Sequence, residues 1–508
     1  MEQEVITSRD MRALELNAEY FGVSQLQLME NAGMAVANAV RARFRSLKTK
    51  VVVFCGLGGN GGDGFVAARH LLAFGYKVEL VLAGRPSEIA HSAAEKNWEA
   101  LYQLQRNLPM HIVYDSSLIP EVNADVIIDS LLGIGLRNEP RPPVRQMIQR
   151  VNELKAFRVS VDVPSGLDAD SGKAFDEAVK ADLTVTFHRP KPGLFKAKPL
   201  VGELMIADIG LPREFERLAG PGDVGLVHKP RPPEAHKGDF GRLLVVGGSE
   251  VYSGAPAYVA LAALRTGVDI TYVAAPKETA CVISSYSPNL ITVKLKGAHL
   301  DPANISSIER YLNIVTAVVV GPGLGLHEET KESVKALIAS VEKAGKPLLL
   351  DADGLKAFGE FKRQLRVPVV FTPHAGEYKA LVGHSPPTDL EAKIEDVLKS
   401  AKVLGGTILL KGDVDVISDG KRVKLNFTGN PGMTVGGTGD VLSGIVGALL
   451  ANGADPFEAA VAGAFVNGAC GDFVQREKGY HILATDLIDW IPRVLDDPMS
   501  HLQVRKRG

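Results

Sequence analysis

The chain has 508 residues, more than one ordinary domain holds, and its 45% hydrophobic and 23% charged content are those of a soluble α/β protein with a sizeable core. Its 57 basic and 59 acidic residues leave a formal net charge of −2 with no block of like charge, which argues against a nucleic-acid or membrane surface. The charged Met1–Arg12 start lacks an apolar leader core and no long apolar run follows, so a cytoplasmic protein without a membrane span is expected. The scattered Cys55, Cys281 and Cys470 read as small core residues in a reducing compartment.

Ser8 opens a helix with Met11, Leu14, Ala18 and Phe21 on one face, and Ser24 with Gln27 forms a capping-box pattern ahead of a second helix. Strands are then predicted at 50–56, 77–84, 111–114, 124–131, 158–163, 183–187 and 204–208, with helices at 65–74 and 88–106. That alternation argues a parallel sheet covered on both faces, with ligands at the carboxyl ends of its strands. The first such end, Gly56-Leu57-Gly58-Gly59-Asn60-Gly61-Gly62-Asp63-Gly64, contains a literal G-x-G-x-x-G. Asp63 puts a negative charge where a pyrophosphate would sit, and Leu82-Ala83-Gly84-Arg85 lacks the acid that holds a ribose. Both argue against an ordinary NAD dehydrogenase. Asn60, Asp129 and Ser165 each fall at or just after a strand end; three oxygen-bearing side chains suit a hard cation such as K⁺ or Mg²⁺, though any one of them taken alone reads better as a turn or cap residue.

Leu28–Gly33, the N-G-G-D-G turn, Asp129–Leu136, Asp162–Gly166 and Pro190–Leu194 occur in order and together resemble the NAD(P)HX epimerase domain. The resemblance implies a Rossmann-like fold and interconversion of the R and S epimers of hydrated NADH and NADPH. It also implies potassium on Asn60, Asp129 and Ser165, and a catalytic Asp162. Substrate contacts would come from Gly59, Asn60, Gly61, Gly62, Asp63, Gly133, Ile134, Gly135, Leu136, Arg137, Asn138, Glu139 and Asp162. The family turn usually reads N-N-G-G-D-G; here the first Asn is Gly59, which is expected to lose one side-chain contact and leave the cation ligand in place.

Prolines and glycines cluster over 212–234, where a domain boundary is expected between units 1–220 and 225–508. Strands follow at 242–246, 270–275, 317–320, 347–350, 368–372, 407–411 and 414–417, with helices at 257–264 and 328–344. Polar motifs again close the strands: Gly321–Gly325, Asp351–Gly354, Thr372–Glu377 and Lys411–Asp413. The last is the stretch Gly429–Gly444, whose five glycines before Asp440 lead into a buried helix over 441–450. A glycine-rich turn feeding a helix start offers free N–H donors to an anion, and Asp440 at that mouth either accepts a substrate proton or caps the helix. His374 is a ligand or a cap, Lys411 a ligand or a solvated strand end. Asp351 and Asp353 bind a metal–phosphate or cap a helix. No P-loop is present.

Together with His236–Gly241 and Ser253–Pro256, these motifs resemble the ribokinase-like NAD(P)H-hydrate dehydratase family. The resemblance implies dehydration of the S epimer at the expense of ADP or ATP, with Mg²⁺. Ala255, Gly323, His374 and Asp440 would touch the hydrate, Lys411, Gly412, Asp413, Val414, Asp415 and Gly439 the nucleotide, and Asp440 would be the base. The expected architecture is two three-layer αβα domains, Rossmann-like then ribokinase-like, in a homo-oligomer with small-molecule substrates and no nucleic-acid or membrane partner. The rivals are a vitamin-precursor kinase, which shares G-T-G-D, and a non-catalytic scaffold.

Overall fold

Val51, Val52, Val53 and Phe54 are buried in succession, which in a strand requires cover on both faces. They form β1 (Lys50–Cys55), the centre of a seven-stranded sheet with β2 (Lys77–Ala83), β3 (Met110–Val113), β4 (Val126–Ser130), β5 (Phe157–Val161), β6 (Leu183–Phe187) and β7 (Glu203–Ala207). All pairings are parallel, in the order β3-β2-β1-β4-β5-β6-β7, so the strand order reverses between β1 and β4. A crevice opens at the carboxyl ends of such a pair. The computed structural model describes residues 4–505, and the chain divides into two units between Phe215 and Glu216.

In the first unit the Ser8–Tyr20 helix is capped by Thr7, and the Gln25–Arg43 helix carries the expected capping box, Ser24 N donating to Gln27 Oε1 at 2.8 Å and Gln27 N to Ser24 Oγ at 3.3 Å. One expectation changes. The glycine turn is the first turn of a helix, Gly59–Ala73, which starts well before the predicted position 65. Its glycines are dictated by packing: a Cβ on Gly61 would stand 1.9 Å from Gly56 O, and one on Gly64 2.5 Å from Ser130 Oγ.

The second sheet has nine strands: β8 (Arg242–Val246), β9 (Ile270–Pro276), β10 (Ile291–Leu295), β11 (Ala317–Val320), β12 (Leu348–Leu350), β13 (Val369–Phe371), β14 (Thr407–Leu410), β15 (Asp415–Ser418) and β16 (Val423–Asn426). Their order is β10-β9-β8-β11-β12-β13-β14-β15-β16, parallel as far as β14 and antiparallel beyond it. The reversal point here lies between β8 and β11. β10 and β16, the two edges, are absent from the sequence reading. The Thr438–Ala451 and Pro456–Lys478 helices are apolar around their circumference and buried accordingly.

The Pro/Gly stretch after 212 is no bare tether. Arg213–Arg217 is a 3₁₀ turn and Pro221–Val227 a helix that buries Pro221, Val224 and Val227. Asp223 caps Gly220 N at 2.9 Å and pairs with Lys424 Nζ at 2.9 Å, so this segment is built into the second unit. Cys55 and Cys470 are buried as expected, whereas Cys281 is exposed on the Lys277–Tyr286 helix, so it is no core residue. No helix among the described residues is long and apolar enough to cross a membrane.

Candidate active sites

At the β1/β4 reversal the first unit holds a cavity of about 1090 Å³. Its lining includes Gly59, Asn60, Asp63, Asp162 and the whole Gly133–Glu139 segment. Gly61 and Gly62 are not among its lining residues, and a Cβ on each would face Gly56 and Met29 respectively. Because Gly62 N is the first to find a helical carbonyl, at Gly58 O, the N–H groups of Gly59, Asn60 and Gly61 end the helix unpaired, as an anion requires. A Cβ on Gly59 would meet nothing nearer than the His91 ring at 3.8 Å, so the missing Asn side chain has room.

Asp162 adopts a left-handed backbone, φ +62°, which a non-glycine residue holds only at a cost of order 1–3 kcal/mol. Its Oδ1 accepts from Thr186 Oγ1 at 2.9 Å, Phe187 N at 3.2 Å and the fully buried Lys191 ammonium. Oδ2 accepts from no described residue, leaving it for a ligand. Two of the other carboxyls in the lining, Asp63 and Glu15, lie close to Asp162. Burial, with Asp162 and Glu15 nearby, holds Asp63 well above the usual carboxylate range. Glu15, reached by no sequence argument, is pushed up to about 7 by burial and by Asp162, with Lys191 and Arg12 opposing.

Behind the cavity wall, Asp129 is wholly buried. It accepts from Ser160 Oγ at 2.8 Å, Ser165 N at 2.9 Å and Ser165 Oγ at 2.5 Å. Burial raises its pKa against those donors, all of them neutral. Asn60 Nδ2 is buried without a partner, and its side chain lies against Gly133, whose Cβ would stand 3.1 Å from Asn60 Oδ1. The oxygens here, those of the buried Asp129 carboxylate with its neutral partners, Ser165 Oγ and Asn60 Oδ1, are of the kind that fits a monovalent cation, whereas the orphaned Asn60 Nδ2 is an N–H donor and no ligand.

In the second unit the strand ends converge as the motifs suggest. Gly321–Gly325 follows β11, and Gly323, at φ +69°, comes close to Ala255 at the start of the Gly254–Thr266 helix: its Cβ would lie 3.5 Å from that of Ala255. Asp351 follows β12 and is buried; it accepts from Ser443 Oγ at 2.7 Å and from Lys411 Nζ at 3.3 Å. Lys411 also stands 3.9 Å from Glu377 Oε2 and 3.3 Å from where a Cβ on Gly439 would be. Burial alone would lower the Lys411 pKa, but Asp351 and Glu377 outweigh it and the net shift is upward.

The Thr438–Ala451 helix begins after Gly437 at φ +99°, so Thr438, Gly439 and Asp440 present free N–H groups. Asp440 is pushed up to about 7, first by burial and then by Asp351, with Lys411 pulling it back. His374 caps the Ala375–Val382 helix: Nδ1 accepts from Gly376 N at 3.0 Å, so Nε2 carries the proton, 3.3 Å from Glu377 Oε1. Lys411–Asp415 is the turn of the β14/β15 hairpin. Gly412 N donates to Asp415 Oδ1 at 3.0 Å, burial raises Asp415 to about 6, and Asp413 points to solvent. Asp351, Glu377 and Ser443 complete this cluster, the first two lying in motifs named above and Ser443 one helical turn beyond Asp440.

Two family models match. Residues 25–193 fit the one described as YjeF-related protein N-terminus, and residues 243–493 the one described as NAD(P)H-hydrate dehydratase. Over 503 residues the chain is 47% identical to the bifunctional NAD(P)H-hydrate repair enzyme of Pyrobaculum aerophilum, covering 97% of this chain and 98% of that one. With the enzyme of the same description from Archaeoglobus fulgidus it shares 45% over 497 residues, 97% of this chain and 98% of the other. Among solved structures, the ADP/ATP-dependent NAD(P)H-hydrate dehydratase from Bacillus subtilis co-crystallized with ATP/Mg²⁺ is 29% identical with a TM-score of 0.46, covering 54% of this chain and 95% of that chain.

Proposed function

The chain belongs to the family of bifunctional NAD(P)H-hydrate repair enzymes, and from that premise we propose a division of labour between its two units. The first interconverts the R and S epimers of NADHX and NADPHX. The second dehydrates the S epimer at the expense of ADP or ATP, giving NADH or NADPH, AMP or ADP, and phosphate.

Asp440 carries the reading of the second unit. A carboxyl that titrates near neutrality at the mouth of an anion-binding helix start is matched to take the proton of a hydroxyl about to be phosphorylated. In this assignment the hydrate ring lies between Ala255, Gly323 and His374, and its hydroxyl gives its proton to Asp440 as the oxygen attacks the terminal phosphoryl group. The N–H groups of Thr438, Gly439 and Asp440 receive the transferring oxygens, and the Lys411–Asp415 turn holds the nucleotide. Mg²⁺ belongs with the nucleotide phosphates. Loss of phosphate, with a proton from the neighbouring ring carbon, restores the dihydronicotinamide.

In the first unit the free N–H groups of the Gly59 helix start suit the phosphates of the dinucleotide, and Asp162 Oδ2 faces the reacting ring. Asn60, Asp129 and Ser165 would hold potassium, which when bound offsets the charge of the buried Asp129. Supplying a mixed-epimer hydrate with Mg²⁺ and either nucleotide, and following dihydronicotinamide absorbance, tests the whole scheme. Asp440→Asn is expected to lower the dehydration rate ~10²–10⁴-fold. A near wild-type rate would reduce Asp440 to a helix cap.

A further inference from the structure

Glu15 belongs to no recognised motif, yet it lines the cavity of the first unit. Its helix is fixed to both segments that shape that cavity. Ser8 N donates to Asp170 Oδ1 at 2.8 Å and Ser8 Oγ to Asp170 Oδ2 at 2.5 Å, just beyond the Asp162 turn. One turn on, Arg12 Nη1 donates to Ile134 O at 3.3 Å, inside the Gly133–Glu139 segment. These ties aim the next turn, and Glu15 with it, into the cavity. No hydrogen bond from a described residue reaches its carboxyl, so both oxygens are left for a ligand.

We propose that Glu15 is the catalytic acid and base of epimerisation, giving a proton to the departing hydroxyl and taking it back when water returns to the other face of the ring. The proposal rests on the reading of the first unit as the epimerase. Hydration of a dihydronicotinamide is hydration of an enamine, which places the hydroxyl on the carbon bonded to the ring nitrogen. Epimerising that carbon breaks its C–O bond: the Glu15 proton joins the hydroxyl oxygen, water departs, and the nitrogen lone pair forms the C=N bond of a planar cation. Water then adds to the opposite face, the new C–O bond returns the pair to nitrogen, and the extra proton goes to the Glu15 carboxylate. Nothing is consumed.

The four ionisable groups around Glu15 divide the task. Asp162, paired with Lys191 through Oδ1, turns its open Oδ2 to the cation. Burial, with Asp162 and Glu15 nearby, pushes Asp63 up. Arg12 is tied to Ile134. Glu15, poised near 7, is matched to exchange a proton in both directions, whereas burial holds His91, the imidazole in the same lining, below its usual range.

Because the protonated form starts the reaction, the rate should fall as pH rises through about 7. The test uses R hydrate left after dehydratase has consumed the S epimer, with nucleotide removed so that the second unit is idle, and follows R-to-S conversion by chromatography from pH 5 to 9. Glu15→Gln should lose ~10²–10⁴-fold in rate together with the alkaline fall, and Glu15→Asp should recover part of both. Both variants should keep the wild-type circular dichroism spectrum and the wild-type thermal transition of the first unit, which separates chemistry from misfolding. Glu15→Gln epimerising within about threefold of wild type, or slowly but with the alkaline fall intact, would overturn the proposal. A wild-type chain that did not epimerise at all would overturn the underlying reading instead, and this proposal with it.

Discussion

Asp440 accepts a proton only when ionised, so dehydration of S hydrate should rise with pH through about 7 and level off above it. The neighbours that set this value make the sign testable. Asp351→Asn removes the largest nearby negative charge and frees Lys411, so the inflection in kcat/KM should move to lower pH. Lys411→Met removes the opposing positive charge and should move it higher. If neither variant moved the inflection, the titrating group would not be Asp440. In the first unit, Asp129→Ala should abolish any response of epimerisation to potassium, read by titrating the salt at constant ionic strength. Residues such as Asp440, Asp162 and Asp129 were legible in the sequence because each sits in a motif, Asp129 at the end of β4, Asp162 directly after β5 and Asp440 behind a run of glycines. Glu15 was not. On an amphipathic helix a glutamate three positions after an arginine looks like any solvated ion pair, and only the Ser8–Asp170 and Arg12–Ile134 ties turn it inward.

Among the elements, the Gly59–Ala73 helix is where sequence and structure differ most usefully. Glycine's low helix propensity favours reading Gly59–Gly64 as a loop. Close packing overrides propensity here, since the helix start must pass against Gly56 O and Ser130. Gly61→Ala should therefore abolish epimerisation and destabilise the first unit by about 1–3 kcal/mol, the usual cost of overpacking. Dehydration of S hydrate by the same protein should be unchanged. The buried central strands were plain from their valine runs. The edge strands β10 (I-T-V-K-L) and β16 (V-K-L-N) were not, because short, half-polar alternation resembles any surface segment. The Pro456–Lys478 helix, apolar all round, carries no periodicity to read.

For the whole molecule we propose that each unit folds and works alone. A 216–508 piece should dehydrate only S hydrate and stall on a mixed-epimer substrate, and the 1–215 piece added in trans should release the stall. Starting the second piece at 225 instead would delete Asp223 and leave Lys424 unpaired, a loss of about 3–5 kcal/mol for a buried pair. Comparing the melting temperatures of the 216–508 and 225–508 pieces checks this; equal values would make the Pro221–Val227 helix dispensable.

The Asp223–Lys424 pair also sets a timetable for the growing chain. The two residues are 201 apart, and Leu218 O, the acceptor for the same ammonium, is 206 from it. At the usual ~5–20 residues per second of synthesis, the Pro221–Val227 segment emerges roughly 10–40 seconds before the lysine that satisfies it. The last strand of the first sheet, β7, has been made by then, so that unit can close while its neighbour cannot. During that interval the newborn second unit exposes a helix whose aspartate and apolar face are made for a partner not yet translated. Chaperone capture or misassembly on the ribosome should accordingly concentrate on nascent chains between about 230 and 424 residues long.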